Sequence, residues 1–338
     1  MTLPADRLVG ALRAAGEPTR LRALAMLAQG ELSVGELAQA LGQSQPRVSR
    51  HLKVLTDAGL IDRAPEGALV FYRLARAPLA ERTLGELFAA CCDPADPVFA
   101  RDRRRLADIR AAREAQAAAY FEANAADWSR LRKLHLPDAD IEAAVLDAAG
   151  PGPFDLMIDA GVGQGRLIEI FADRVKRAEG FDTSRPMLAL ARAALDGLPK
   201  SKAAVRYGDI YDPPAQSASA DLVTIHHVLH YLSDPRRAIQ EAARLLRPGG
   251  RLVIVDFAPH DLEFLRAQHA HRRLGFEDRE IRDWCAEAGV RDLAVRTLAA
   301  KDARAERLTV KIWAGDKARL QSAGENTAPD KATPEKAA

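Results

Sequence analysis

The chain is poor in cysteine, with only Cys91, Cys92 and the distant Cys285 in 338 residues. That supply excludes a disulfide framework and the paired spacings of a structural zinc site, and it fits a reducing compartment. Long apolar runs are missing too. No uninterrupted stretch approaches the roughly 20 residues that span a bilayer, so membrane insertion is excluded. The opening MTLPADRLVGALRAAGEPTR lacks the apolar core and small-residue cleavage site of a secretory signal, so a cytoplasmic protein is expected. Nor does charge of one sign dominate: Lys+Arg 49 against Asp+Glu 47 leaves a net +2. Any nucleic-acid contact therefore has to come from a local patch, not from bulk charge.

What is present is an ordinary globular composition, 48% hydrophobic and 28% charged, at a length that predicts two folded units and a tail. Glycine and proline punctuation and shifts of hydrophobic period divide the chain into four parts. Residues 1–90 read as a compact helical unit with a hairpin, and 91–149 as a helical connector with the leading helix of the next domain. Residues 150–314 alternate strand-like runs (LMIDA, RAEGFD, ADLVTIHH, RLVIVDF) with helical segments, the signature of a parallel sheet with crossover helices. Residues 315–338 are polar, without period, and expected to be a disordered tail.

In the first part, Ser33 followed by Glu36 is a capping box that opens the helix SVGELAQALG, closed by Gly42. Ser44 then caps a second helix with Pro46 in its first turn; Val48, Leu52 and Leu55 form its apolar stripe and Gly59 ends it. The outward positions carry Gln45, Arg47, Ser49, Arg50 and Lys53, donors suited to base edges and phosphates. With Ser44, and with Arg63 in the hairpin that follows (LIDRA, PEG, LVFYRL), they make the expected DNA-reading surface. The run from EPTRLRALAMLAQG through GLIDR, followed by VFYRL, resembles the ArsR family of winged helix-turn-helix transcriptional regulators over about the first 90 residues. That resemblance implies a homodimer on an imperfectly palindromic double-stranded operator, one recognition helix per major-groove half-site. Metal-sensing relatives place a cysteine where Ser33 stands, and RAPLAERTLGELFAACC contains no histidine, so no metal site is expected there; Cys91 and Cys92 leave a vicinal metalloid clamp as a disfavoured alternative.

In the third part, FDLMIDAGVGQGRLIEIFADR is a strand, a glycine-rich turn and a helix, with Asp159, Gly161, Gly163 and Gly165 in a D-x-G-x-G-x-G pattern. The glycines let backbone approach a ligand closely. A second strand ends in Asp182, placed to accept both hydroxyls of a ribose, and VRYGDIYD puts Asp209 and Ile210 where an adenine would be bonded and packed. ADLVTIHHVLHYL closes a fourth strand in histidines, and LLRPGGRLVIVDF supplies a fifth. A nicotinamide dehydrogenase competes, but its G-x-G-x-x-G cradles a diphosphate, whereas Asp159 suits a sulfonium and an ammonium. The ordered set IDAGVGQG, GFDTSRPMLALAR, GDIYD, DLVTIHHVLHYL and LRPGGRL resembles class I S-adenosylmethionine-dependent methyltransferases across about 160 residues. The expected fold is thus multidomain: an N-terminal α+β winged helix-turn-helix, then an α/β Rossmann-like methyltransferase domain.

The resemblance implies S-adenosyl-L-methionine as cofactor, with Asp159, Gly161, Gly163 and Gly165 at its methionine end, Asp182 at the ribose, Thr183 and Met187 beside the nucleoside, Asp209 and Ile210 at the adenine and His226 facing it. It also lets Tyr120, Phe121 and Trp128 of YFEANAADWSRLRKL close over the site, with core packing as the alternative. A sulfonium already activates its methyl group, so the protein has to align an acceptor and take its proton. His226, His227 and His230 at the fourth strand's end are the catalytic candidates; His260, His269 and His271 lie in a segment able to cover the pocket. His269 and His271 diverge on a helix, so no metal site is expected there. The absence of an N/D-P-P-Y motif favours a small O-, C- or S-acceptor over a nucleic-acid base, and a lone Cys285 disfavours arsenite methylation. Two functions follow: a regulator fused to a small-molecule methyltransferase, or a non-catalytic sensor of S-adenosylmethionine or S-adenosylhomocysteine that controls methyl-cycle genes.

Overall fold

The computed structural model describes residues 4–66, 68–75, 84–124, 138–199, 202–299 and 308–319. Residues 320–338, most of the expected tail, lie outside the described residues, as does Trp128; of Phe121 only the helical backbone is described.

The N-terminal unit runs α1 (Ala5–Ala15), α2 (Pro18–Leu27), β1 (Leu32–Ser33), α3 (Val34–Leu41), α4 (Gln45–Asp57), β2 (Ile61–Glu66) and β3 (Leu69–Leu74). The capping box starts α3: Ser33 Oγ accepts from Glu36 N at 3.3 Å and Glu36 Oε2 from Ser33 N at 2.7 Å. Gly42 stops it in the left-handed region at φ +66, which a side chain would resist. Ser44 stands at the N-cap of α4, but its side chain accepts no capping bond. Val48, Leu52 and Leu55 bury the inner face of α4. β2 and β3 pair antiparallel from Ile61↔Leu74 to Glu66↔Leu69, and β1 adds to the other side of β3.

Two further helices follow, α5 (Leu84–Ala90) and α6 (Pro97–Asn124). The first half of α6 belongs to the head's core, because Leu106 and Ile109 pack with Leu24, Leu37 and Leu41. Arg22 locks it there with a forked contact to Asp102 at 2.5 and 2.7 Å.

The C-terminal unit opens with α7 (Asp138–Ala149) and continues β4 (Phe154–Ala160), α8 (Arg166–Ile170), β5 (Val175–Asp182), α9 (Arg185–Ala194), β6 (Ala203–Tyr207) and β7 (Ala220–His226). It ends with α10 (Pro235–Leu245), β8 (Leu246–Phe257), α11 (Phe264–His269), α12 (Asp278–Glu287), β9 (Val290–Leu298) and β10 (Val310–Lys317). One seven-stranded sheet results, in the order β6-β5-β4-β7-β8-β10-β9. The five strands foreseen from sequence are parallel, and β10 enters antiparallel between β8 and β9. Ile141 and Val145 of α7 and Leu188 of α9 cover one face; Ile239 of α10 and Trp284 of α12 cover the other. Strand order reverses between β4 and β7, which opens a crevice beyond their C-terminal ends, the usual ligand position in such sheets. Among the described residues no helix is long and apolar enough to cross a membrane.

Candidate functional site

That crevice is a cavity of about 440 Å³. Asp159, Gly161, Gly163, Asp182, Thr183, Met187, Asp209 and Ile210 line one end, and His226, His227 and His230 line the other. Gly165 is not among the lining residues: it stands at the start of α8, where a Cβ would meet Ala191 and Leu195 of α9 at 3.2–3.4 Å, so its part is helix packing. Gly161, at φ +79, turns the chain where a Cβ would come within 2.5 Å of Val228 Cγ2, whereas the Cβ position of Gly163 meets nothing within 4 Å. A ligand can therefore approach the backbone closely at Gly163.

The acidic end has the electrostatics of a cation cradle. Asp159 is buried, accepts from Thr224 Oγ1 at 2.6 Å, and is pushed up to about 7, chiefly by burial and further by the nearby Asp182. Asp182 accepts from Gly163 N at 2.9 Å and Ser184 N at 2.8 Å, one on each oxygen, with a further backbone bond from Thr183. Burial raises its pKa, and those backbone bonds oppose the rise. Asp209 Oδ1 accepts from Tyr211 N at 2.9 Å, which fixes its loop.

The opposite end is built from imidazoles, phenols and one buried carboxylate. Asp256, near the end of β8 and fully buried, accepts from His230 Nδ1 at 2.8 Å and from Phe257 N at 2.8 Å. Burial drives His230 well below its ordinary pKa, with His260 adding to the effect, so the ring is neutral at physiological pH. Its Nε2 is buried and makes no hydrogen bond to the described residues. The His271 ring lies tilted 4.2 Å from that of His230, and Tyr231 lies 4.0 Å away, its phenol held protonated by burial. Tyr120 reaches the cavity from α6 and shares a 2.7 Å hydrogen bond with His269. His227 takes φ +54, a conformation costly for a residue with a side chain. Among the described residues, ligand atoms of His227, His230 and Asp256 lie within 4.8 Å of one another, a spacing that a metal ion would also accept. Asp256 is a functional residue outside the sequence-based candidates, although a single acid in the apolar run LVIVDF is a signal for it.

On the head, Ser44, Gln45, Arg47, Ser49, Arg50 and Lys53 of α4 are all exposed, and so is Arg63 on β2. Lys53 also pairs with Asp57 at 2.9 Å. Burial pushes the Cys92 thiol up, away from the thiolate that a metalloid requires.

Residues 17–63 match the family described as bacterial regulatory protein, arsR family, and residues 158–254 match a methyltransferase domain family. A biofilm growth-associated repressor of Agrobacterium fabrum is 43% identical over 83 residues, covering 25% of this chain and 70% of that protein. An uncharacterised 37.1 kDa protein in transposon Tn4556 of Streptomyces fradiae is 34% identical over 157 residues, 42% of this chain and 44% of its own length. An uncharacterised methyltransferase of Geobacillus kaustophilus is 31% identical over 141 residues, 41% of this chain and 62% of its own. The match thus spans less than two thirds of each of these last two relatives.

Proposed function

The chain belongs to the ArsR family of bacterial regulatory proteins and carries a methyltransferase domain behind the reading head. On that premise we propose that it is a cytoplasmic, DNA-binding regulator that uses S-adenosylmethionine to methylate a small, weakly acidic acceptor. Duplex operator DNA meets the exposed donors of α4 and Arg63 of the hairpin. Leu8, Val9 and Leu12 leave an exposed apolar face on α1, which supports pairing of two copies.

The observation that carries the enzymatic reading is a single cavity holding both a buried acidic cradle and a carboxylate-oriented imidazole. S-adenosylmethionine, when bound, supplies a methyl group already activated by its sulfonium. Ionised Asp159 offsets the positive charge at the methionine end, Asp182 takes the ribose hydroxyls, and Asp209 with Ile210 receives the adenine. His230 takes the acceptor's proton on Nε2 while Asp256 holds the ring by Nδ1 and stabilises the imidazolium that forms. S-adenosylmethionine held there would supply the methyl group, and its sulfur would take the electron pair of the carbon–sulfur bond. The acceptor end is lined by His227, Tyr231, His269 and His271, polar groups and aromatic faces suited to an uncharged acceptor with an ionisable hydroxyl or thiol.

Transfer of labelled methyl from S-adenosylmethionine to a component of a small-molecule extract tests this. A labelled product should appear with the native protein and fail with His230→Gln, while calorimetry gives both proteins the same cofactor affinity; equal product from both would refute the role of His230. The second reading, a non-catalytic receptor for S-adenosylmethionine or S-adenosylhomocysteine, is favoured by the ion pairs between the pocket's cover and the reading head.

A further inference from the structure

Residues 258–276, between β8 and α12, serve two sites at once. Inward, Leu265, His269 and His271 form one wall of the cavity. Outward, the same stretch grips the reading head. Arg272 Nη2 meets Glu36 Oε1 at 2.8 Å, and Glu36 is the capping-box residue whose other oxygen holds Ser33 N at the start of α3. Arg273, buried, donates to Glu31 at 2.8 Å and Glu280 at 3.1 Å and forms an ion pair with Glu66 at 2.6 Å, with its guanidinium 5.2 Å from the Phe71 ring and 5.3 Å from that of Phe276. Glu66, at the hairpin tip, also accepts from Arg266 at 2.7 Å and Leu274 N at 2.6 Å, while Ala68 N across the turn donates to Glu263 at 2.7 Å. The hairpin tip that would flank DNA is thus docked on the cover of the pocket.

The two sides meet at one atom. The carbonyl oxygen of His230 accepts from Arg272 N at 2.8 Å and from Arg273 N at 3.0 Å, while the His230 ring lies tilted against that of His271, 4.2 Å between centres. A shift of His230 or His271 on ligand binding therefore moves the backbone that aims both arginines. Those arginines end on the cap of α3 and on the hairpin, the two elements that set the pose of the recognition helix and the wing. Close packing makes such a junction responsive in discrete steps, because buried forked ion pairs tolerate little misalignment.

We propose that the cavity is an effector site for the DNA-reading head, with residues 258–276 as the relay and the Arg272–Glu36 and Arg266/Arg273–Glu66 contacts as its output. The proposal rests on the reading that the cavity takes S-adenosylmethionine and its demethylated product. A ligand acting through this relay changes operator affinity, and operator changes ligand affinity by the same factor.

The test uses the full chain, S-adenosylhomocysteine as probe, and operator DNA selected from a random duplex pool. Saturating probe should change the operator affinity of the native protein by about five-fold or more. It should also alter hydrogen exchange in residues 31–36 and 61–74. Arg272→Ala should lose the exchange response of residues 31–36 and most of the operator response while binding the probe like the native protein, and Arg266→Ala, which leaves Arg272 and Arg273 in place, should weaken the exchange response of the hairpin, residues 61–74, alone. A native protein that binds the probe with no change in operator affinity or exchange overturns the relay, as does a full response in both variants. A native protein that gives no calorimetric signal with the probe refutes the cofactor reading itself, and the relay with it.

Discussion

The reading head and the pocket use charge in opposite ways. On α4 the functional groups are cations and a hydroxyl left in water: Arg47, Arg50 and Lys53, with Ser49, stand exposed over a buried stripe of Val48, Leu52 and Leu55. In the pocket they are carboxylates and imidazoles withdrawn from water, and burial shifts them, Asp159 up to about 7 and His230 well below its ordinary value. A surface that meets a polyanion profits from solvated, adaptable donors. A site that holds a cation and moves a proton profits from groups whose ionisation the ligand itself completes.

If buried carboxylates carry the ligand, the largest effect belongs to Asp182. Asp182→Ala removes two charge-assisted hydrogen bonds to the ribose, about 1.5–3 kcal/mol each, and calorimetry should find cofactor affinity almost abolished with the head still folded. Normal affinity would displace the ribose from β5. At the seam between the two regions, Arg273→Met leaves Glu31, Glu66 and Glu280 facing one another without their shared cation, a loss of about 3–5 kcal/mol that thermal unfolding should register. An unchanged melting temperature would mean that the seam is loose in solution.

His230→Gln and Asp256→Asn should each lower methyl transfer by about 10²–10⁴-fold at unchanged cofactor affinity, because the lost function is proton transfer and not binding. Arg47→Ala or Arg50→Ala should cost about 1–3 kcal/mol of operator binding if the side chain reads a base edge, and less, with a shallower salt dependence, if it meets phosphate. Undiminished binding in both would move the reading surface off α4.

The smallest effect is a pH dependence. Asp159 must be ionised to hold an ammonium or sulfonium, so cofactor affinity should fall as pH drops below about 7, by at most about tenfold per pH unit, and Asp159→Asn should flatten that slope. In the free protein the sign reverses. The folded chain keeps a proton on Asp159 that the unfolded chain has released, so this group's contribution to stability declines as pH rises from the ordinary carboxylate range toward 7. Calorimetric titrations across that range, and melting curves of the free protein, check both signs.

The same contrast explains what sequence could reveal. The capping box at Ser33 and Glu36, the stop at Gly42 and the stripe of α4 are local patterns, readable within a few turns of helix. Asp159 was legible because it follows the apolar run LMI of β4, and Asp182 because it ends the next strand about 20 residues past the glycine-rich turn. Asp256 was not singled out, since its partner His230 lies 26 residues away and only the pairing of β7 with β8 brings them together. β9 and β10 also escaped, because VRDLAVRTL is half exposed and β10 gains its place only by pairing antiparallel with β8. The Arg272 and Arg273 contacts had no sequence signal at all. Their glutamates on the reading head, Glu31, Glu36 and Glu66, are about 200 residues away or more, on surfaces that meet only when both units are folded.

The central claim is that one pocket serves both ends of the molecule. Its most direct test is calorimetric titration of S-adenosylhomocysteine into the full chain, free and saturated with selected operator. The account predicts affinities that differ by about five-fold or more between the two. Equal affinities would contradict it and leave two independent activities on one chain.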